Sequence, residues 1–313
     1  MSEPKGGTEL QLELLQKHVD SELLDHFQIC TSIPGKVPID SNKINILWQK
    51  NNYNQPNIQP WFADKKNHDQ YDWYIFNSHW SLEKYRMMYN LPHDKCHVIK
   101  NAIEHFPKRK PYQEGDTLRL IFQPTPWRGL NVLLGAMDLL QEENVELDVY
   151  SSCDLYGSKF AKDNDDDWKA LYEQAKALPN VNYIGNRPND FILSKLTNYH
   201  MFAYPCTWEE TSCISAIECM SAGLLTITTN YGALFETCAD FPVYVNYTKD
   251  YKKLARQFAH AIKQSMCQLH KEHIQNHLNL QQAYMKYFYD WQKRKIQWTN
   301  FLIGAKGVKT TNQ

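Results

Sequence analysis

The alternation of apolar and polar positions divides the chain into two stretches. In the second, short apolar runs at residues 118–122, 146–150, 181–184, 201–204, 225–228 and 243–245 read as strands, with helical periodicity between them. Strands and helices in alternation predict a parallel sheet. The first stretch is less regular. It predicts a helix over 8–24, strands at 27–31, 44–48 and 71–76, and a helix over 80–90. Residues 104–117, with Pro107, Pro111 and Gly115, interrupt the pattern and read as the connection between two α/β domains. From Asp250 to about Ile303 the periodicity is helical, with a break around residues 264–270.

The densest chemistry lies between Asn180 and Glu236. One strand ends at Pro205, which puts the loop from Cys206 to Thr211 at the carboxyl edge of the sheet, where open α/β folds take ligands. The following helix points its amino end at that edge. Its first amides lack intrahelical partners and carry roughly half a unit of positive charge, which suits a phosphate or diphosphate. Thr211 and Ser212 are both good helix caps. At about 100° per residue, Cys213, Ile214, Ile217 and Met220 share one apolar face and Glu218 falls at its margin, half sheltered, where a carboxylate can grip a pair of hydroxyls. A structural alternative stands beside this. Ser215 to Glu218 also fits a capping box, and Glu209 and Glu210 also fit acids favoured near a helix start by the dipole.

Five segments together resemble the retaining glycosyltransferases of family four. That family carries two glutamates separated by seven residues, and Glu210 and Glu218 match them in spacing and context. Val98-Ile99-Lys100-Asn101-Ala102-Ile103 resembles the family's Val-Ile-Pro-Asn-Gly-Ile junction between domains. Arg128-Gly129-Leu130 resembles its Lys-Gly or Arg-Gly turn, Gly232 to Glu236 its Gly-Gly-x-x-Glu, and Gly6-Gly7-Thr8-Glu9 its first glycine-rich loop. The similarity runs over nearly the whole chain.

The resemblance implies an α/β protein of two Rossmann-like doubly wound domains facing a cleft, the GT-B fold. Residues 1–103 would form a shortened acceptor-side domain, 104–285 the domain binding the nucleotide sugar, and 286–313 a last helix crossing back to the first domain. Trp291 and Trp298 read as its packing residues. It also implies a reaction: transfer of a hexose or pentose from a nucleoside diphosphate sugar, UDP- or GDP-linked, to a hydroxyl of a glycan, glycoprotein or glycolipid, with retention of anomeric configuration. No cofactor and no metal are expected. Arg128 and the amides of Thr211, Ser212, Cys213 and Ile214 would hold the diphosphate, Glu210 would contact the transferred sugar, and Glu218 would accept from the ribose hydroxyls. Backbone near Gly185, Asn186 and Arg187 would meet the base, Gly129 would shape the turn beside Arg128, and Gly6 and Gly7 would close over the diphosphate. Two rival readings belong to the same fold: an inactive module binding a nucleotide sugar or glycan, and a different activity such as a sugar-nucleotide epimerase or a phosphorylase.

The chain departs from the family in four places. Glu-Gly-Phe-Gly becomes Glu210-Thr211-Ser212-Cys213, so two glycines that let backbone approach phosphate gain a Cβ. Leu120-Ile121-Phe122-Gln123-Pro124 stands where a basic residue is usual, leaving Arg128 as the clear phosphate cation. The acceptor-loop histidine is not evident, since Gln49, Lys50, Asn51 and Asn52 follow the strand at 44–48. The glycine loop opens the sequence, so the strand that precedes it in the family is either lost or lies outside this sequence.

Composition narrows the picture further. The chain's 313 residues suit two domains, and 34 Lys and Arg against 35 Asp and Glu leave no broad basic surface for nucleic acid. Eight cysteines show no Cys-x-x-Cys pair and no secretory leader precedes them, which predicts reduced thiols and a cytoplasmic location. No apolar run reaches the roughly 20 residues of a membrane helix, so any membrane contact is expected to be peripheral; Lys108-Arg109-Lys110 reads as a solvated linker. Two clusters mimic metal sites. His270, His273 and His277, with Glu272 nearby, read as a solvated or packed helix face, and Asp163-Asn164-Asp165-Asp166-Asp167 as acids leading a helix near Trp168.

Overall fold

The computed structural model describes residues 6–152 and 165–311. The chain forms two compact units. The first comprises Gly7–Glu104, the segment Glu210–Ser212 and the chain from Phe288 onward; the second comprises Gly6 and the described residues of His105–Glu209 and Cys213–Tyr287.

Strands β1 (Phe27–Thr31), β2 (Ile44–Gln49), β3 (Trp73–Phe76) and β4 (Cys96–Val98) form the first sheet, parallel and in that order. Every residue of β2 is buried because helices cover both faces of the sheet. Ile44, Ile46 and Trp48 pack with Leu15 and Val19 near the helix Gly7–His18 and with Trp291, Trp298, Leu302 and Ala305 of the last helix, Trp291–Thr311. On the opposite face Leu47 packs with Phe62, Tyr74, Tyr85 and Tyr89, from β3 and the helices Gln59–Ala63 and His79–Tyr89. Trp291 stacks on His18 at 5.4 Å and Trp298 meets Trp48 edge-on at 4.8 Å. Backbone bonds from Ile103 N to Tyr289 O (2.8 Å) and from Trp291 N to Ile103 O (3.1 Å) fix the start of the last helix. The amide of Gln11 bonds both backbone groups of Ala102, at 2.7 and 3.0 Å, so this buried polar side chain is satisfied.

The first predicted helix is two. Gly7–His18 stops, and Ser21–Leu24 restarts behind Asp20, whose carboxylate accepts from the amides of Glu22 and Leu23. The fourth strand was not expected, because three residues with an exposed His97 are too short to register as a periodic run.

The second sheet contains β5 (Leu118–Phe122), β6 (Val145–Val149), β7 (Val181–Tyr183), β8 (Met201–Tyr204), β9 (Leu225–Thr229) and β10 (Val243–Val245). All pairs are parallel and the order is β10-β9-β8-β5-β6-β7. The order reverses between β5 and β8, which makes their carboxyl ends the switch point of a doubly wound sheet. The helices Leu130–Asp138 and Tyr251–Met266 pack on one another beside this sheet. Gln281, from the helix Glu272–Tyr289, donates to Met220 O and Leu224 O at 3.0 Å each, closing the end of the helix Ile214–Ser221.

The acidic run from Asp163 begins outside the described residues. A 3-10 turn, Asp165–Trp168, precedes the helix Lys169–Ala177, whose cap position, Trp168, makes no side-chain capping bond. His270 precedes the helix Glu272–Tyr289, and His277 bonds Phe241 O at 3.0 Å. Among the described residues no group of three or more His, Cys, Asp or Glu is placed to hold a metal ion, and no helix is long and apolar enough to cross a membrane. Seven described cysteines are not joined in disulfides.

Candidate active site

Two turns leave the switch point, and backbone contact joins them. After β5 the chain passes Gln123 and Pro124 into a 3-10 turn, Pro126–Arg128, which ends on Gly129 at φ +110°. After β8 it passes Pro205 into the acidic loop. The hydroxyl of Thr207 donates to Trp127 O at 3.1 Å, and the guanidinium carbon of Arg128 lies 6.0 Å from the centre of the Trp208 ring. A Cβ on Gly129 would stand 2.1 Å from Pro205 O, so only glycine fits this approach. Arg128 and Gly129 therefore lie beside the start of the loop that follows β8.

The helix behind that loop begins at Ile214, with Cys213 at the cap position and no side-chain capping bond. This overturns two expectations. Thr211 and Ser212 are not caps: the Thr211 hydroxyl donates to Lys50 O at 3.0 Å, and its carbonyl accepts from Ser78 Oγ at 2.7 Å. Nor is there a capping box, because Ser215 lies inside the helix and the cap position, Cys213, makes no side-chain capping bond. Cys213 at the cap position and Ile214, Ser215 and Ala216 after it form the helix start whose amides lack intrahelical acceptors, with Ser212 just outside it.

Glu218 is more deeply placed than a margin. It is 8 % exposed, and Gln123 Nε2 reaches its carboxylate at 3.4 Å while also approaching Ser215 O (3.4 Å) and Cys219 Sγ (3.7 Å). Burial raises its pKa to about 8, against the smaller opposing effect of the Gln123 hydrogen bond. A carboxyl with one long neutral contact is protonated at neutral pH and lacks the donors that would stabilise its anion. Gln123, which fills the place of the family's basic residue, is thus the partner of Glu218, and local periodicity gives no sign of a pair 95 residues apart.

The remaining candidates occupy separate positions. Glu210 is buried, and its segment, Glu210–Ser212, belongs to the unit of the first sheet. Gly185, at φ +72°, and Asn186 and Arg187 follow β7, the outer strand two places from β5, so roughly 10 Å separates them from the switch point at normal strand spacing. Arg187 donates to Asn186 O at 2.7 Å. Gly6 is buried and Gly7 opens the helix Gly7–His18.

A parallel sheet with a switch point, a cation in the first turn and a helix start after the fourth strand defines a nucleotide-binding α/β architecture. The family described as Glycosyl transferases group 1 matches residues 103–279, more than half of the chain. The chain belongs to this family of glycosyltransferases. Solved structures agree on the fold. Anabaena HepE, determined in complex with UDP-glucose, superposes with a TM-score of 0.61 at 15% identity, over 84% of this chain and 72% of that one. The pneumococcal O-GlcNAc transferase GtfA, in complex with UDP and GlcNAc, gives 0.62 at 12% identity, over 84% of this chain and 53% of that one, so the chain spans about half of GtfA. Sucrose-phosphate synthase from Thermosynechococcus elongatus gives 0.68 at 12% identity, over 96% and 79%. These likenesses show the two-domain GT-B architecture. No curated protein matches the sequence.

Proposed function

We propose that the protein transfers a sugar from a UDP-linked donor to a hydroxyl of a glycan, glycoprotein or glycolipid, with retention of anomeric configuration. The observation carrying this reading is Glu218: a buried carboxyl beside Gln123, at the switch point of the sheet, with too few donors for its charge. Two ribose hydroxyls supply the missing donors. Each hydrogen bond to the ionised carboxylate contributes about 1.5–3 kcal/mol. The uridine nucleotide follows the UDP complexes of HepE and GtfA.

In this reading Arg128 and the amides of Thr211, Ser212, Cys213 and Ile214 hold the diphosphate. Gly129 gives Arg128 its place, Gly6 and Gly7 bring their backbone to the diphosphate, and backbone at Gly185, Asn186 and Arg187 meets the base. Glu210 contacts the transferred sugar. The bond from the anomeric carbon to the diphosphate breaks as the acceptor oxygen bonds to the same face, and the acceptor proton passes to the departing phosphate oxygen. Stabilising the charge on that phosphate is the main catalytic task. Because Arg128 and the helix amides counter it, activity is expected to persist in excess EDTA; loss restored by a divalent ion would contradict this part.

Glu218→Gln tests the reading directly. The variant is expected to bind UDP about 10- to 100-fold more weakly by calorimetry, with the parent's affinity rising as pH passes through about 8, where the carboxyl ionises. Equal binding by parent and variant would return Glu218 to a structural role. Without ligand the effect on stability has the opposite sense. The folded state holds a proton that the unfolded chain releases in the ordinary carboxyl range, so stability falls as pH rises from there to about 8 and is flat beyond. Glu218→Gln should flatten that fall in urea titrations. UDP release from a labelled UDP-sugar separates a transferase from a binding module, which would retain the donor intact.

A further inference from the structure

A parallel sheet normally has both faces covered by helices, and part of the second sheet does not. Arg119 on β5 pairs in register with Glu146 on β6, and Asn182 on β7 pairs with Asp148 on β6, so the four share one face. Arg119, Glu146 and Asn182 are exposed and Asp148 is half-buried. The crossover from β7 to β8 is short here, a seven-residue helix, Asn189–Lys195, and a 3-10 turn, Leu196–Asn198. Together these strands and the crossover line a cavity of about 320 Å3.

The floor of the cavity is held by hydrogen bonds. Asp148 accepts from the Tyr199 hydroxyl at 2.6 Å and from Asn182 Nδ2 at 3.0 Å, and the Tyr150 hydroxyl lies 2.8 Å from that of Tyr199. Burial, with Asp148 beside it, pushes the Tyr199 phenol far above its ordinary range, so it stays a donor. The rim is different. Opposite charges that face one another across two strands commonly interact, yet among the described residues the side chains of Arg119 and Glu146 join no hydrogen bond or ion pair. Asn198 accepts from Lys110 Nζ at 3.2 Å, which leaves its amide nitrogen to donate, and Asn182 keeps its carbonyl to accept.

We infer that this cavity is a carbohydrate site separate from the donor site, taking a neutral disaccharide unit of a glycan. Its charges cancel: Arg119 on β5 and Lys195 on the crossover stand against Glu146 and Asp148 on β6. A hydroxyl donates and accepts at once, so a polyol meets the carboxylates, the cations and both amides, where a charged group meets only those of opposite sign. The lining is mostly polar, unlike the apolar lining that drug-like ligands select, and the volume lies at the lower end of the roughly 300–1,000 Å3 of small-molecule pockets. Arg119 lies four residues before Gln123, roughly 13 Å from the switch point at the rise of a strand, so a saccharide held here leaves the donor site open. The inference stands apart from the transferase reading, because nothing in it uses UDP.

Saturation-transfer NMR tests it with maltose, lactose and di-N-acetylchitobiose, in the absence of nucleotide, on the parent, Arg119→Ala and Glu146→Ala. At least one disaccharide should bind the parent, and its Kd should rise at least tenfold in each variant. Equal affinity in parent and variants overturns the inference, and so does a parent that binds none of the three. Binding of glutamate or glucose 6-phosphate in place of the disaccharides also overturns it, since the cavity would then select a charge. A second measurement needs no substitution. Carbodiimide labelling of Glu146 in the intact protein, read by peptide mass spectrometry, should slow severalfold when the bound disaccharide is saturating; an unchanged rate places that disaccharide elsewhere and overturns the inference.

Discussion

Arg128→Ala is expected to lower turnover at saturating donor by about 100-fold while the donor's KM changes less. Loss of one preorganised group that meets charge developing on the leaving oxygen costs roughly 10²–10³ in rate elsewhere, and Arg128 is offered for that role by its turn. The 3-10 segment Pro126–Arg128 ends on Gly129, and the guanidinium lies 6.0 Å from the centre of the Trp208 ring. An effect confined to KM would mean that Arg128 binds the ground state and the transition state alike. Arg128→Lys should recover part of the rate, since it restores charge without the planar fork. Initial rates of UDP release measure all three proteins. Unchanged turnover in the alanine variant removes Arg128 from catalysis.

Gly129→Ala should be the most damaging single methyl group in the second unit. The residue sits at φ +110°, and the added Cβ would lie 2.1 Å from Pro205 O and 2.9 Å from Pro205 C. Both neighbours are backbone, so no rotamer change relieves the contact. The turn after β5 or the loop after β8 must move instead. Strain at such a backbone conformation costs about 1–3 kcal/mol by itself, and the displacement adds to it, so a loss of about 3 kcal/mol or more is expected in urea unfolding with an unchanged slope. Gly115→Ala supplies the control. It has φ +91° and nothing within 4 Å of the added Cβ, so it carries the conformational strain alone. If the two alanines cost the same, the approach to Pro205 is not the constraint inferred here. Because Arg128 precedes Gly129, the variant should also lose activity beyond its loss of folded protein.

The second sheet was legible because its strands are compact apolar runs bounded by turn residues, and their alternation with helices dictates parallel pairing. The family followed from the spacing of Glu210 and Glu218 together with Arg128-Gly129, segments whose order along the chain carries information that no single one does. What escaped was tertiary. Helical period places Glu218 at the edge of an apolar face, yet it is buried and its side-chain bond comes from Gln123, just past the end of β5. Thr211 has the chemistry of a cap, but two longer-range hydrogen bonds, to Lys50 and from Ser78, occupy it. Lys50 stood out in the sequence only as one of the residues that follow the strand at 44–48 where an acceptor-loop histidine is not evident. The break at Asp20 was readable in principle, since an aspartate ahead of Ser21-Glu22 is a cap signature, but the surrounding leucines kept the helical period running.

The packing of Trp291, Trp298 and Leu302 against Ile46 and Trp48 has a consequence for how the protein is made. Ribosomes add residues in order, at about 5–20 per second, and the apolar strand 44–49 emerges well over two hundred codons before the helix that covers one of its faces. During that interval, on the order of tens of seconds at those rates, the nascent amino-terminal half carries an open, sticky surface. Chaperone occupancy should therefore peak on this half and be released only when the final segment clears the exit tunnel.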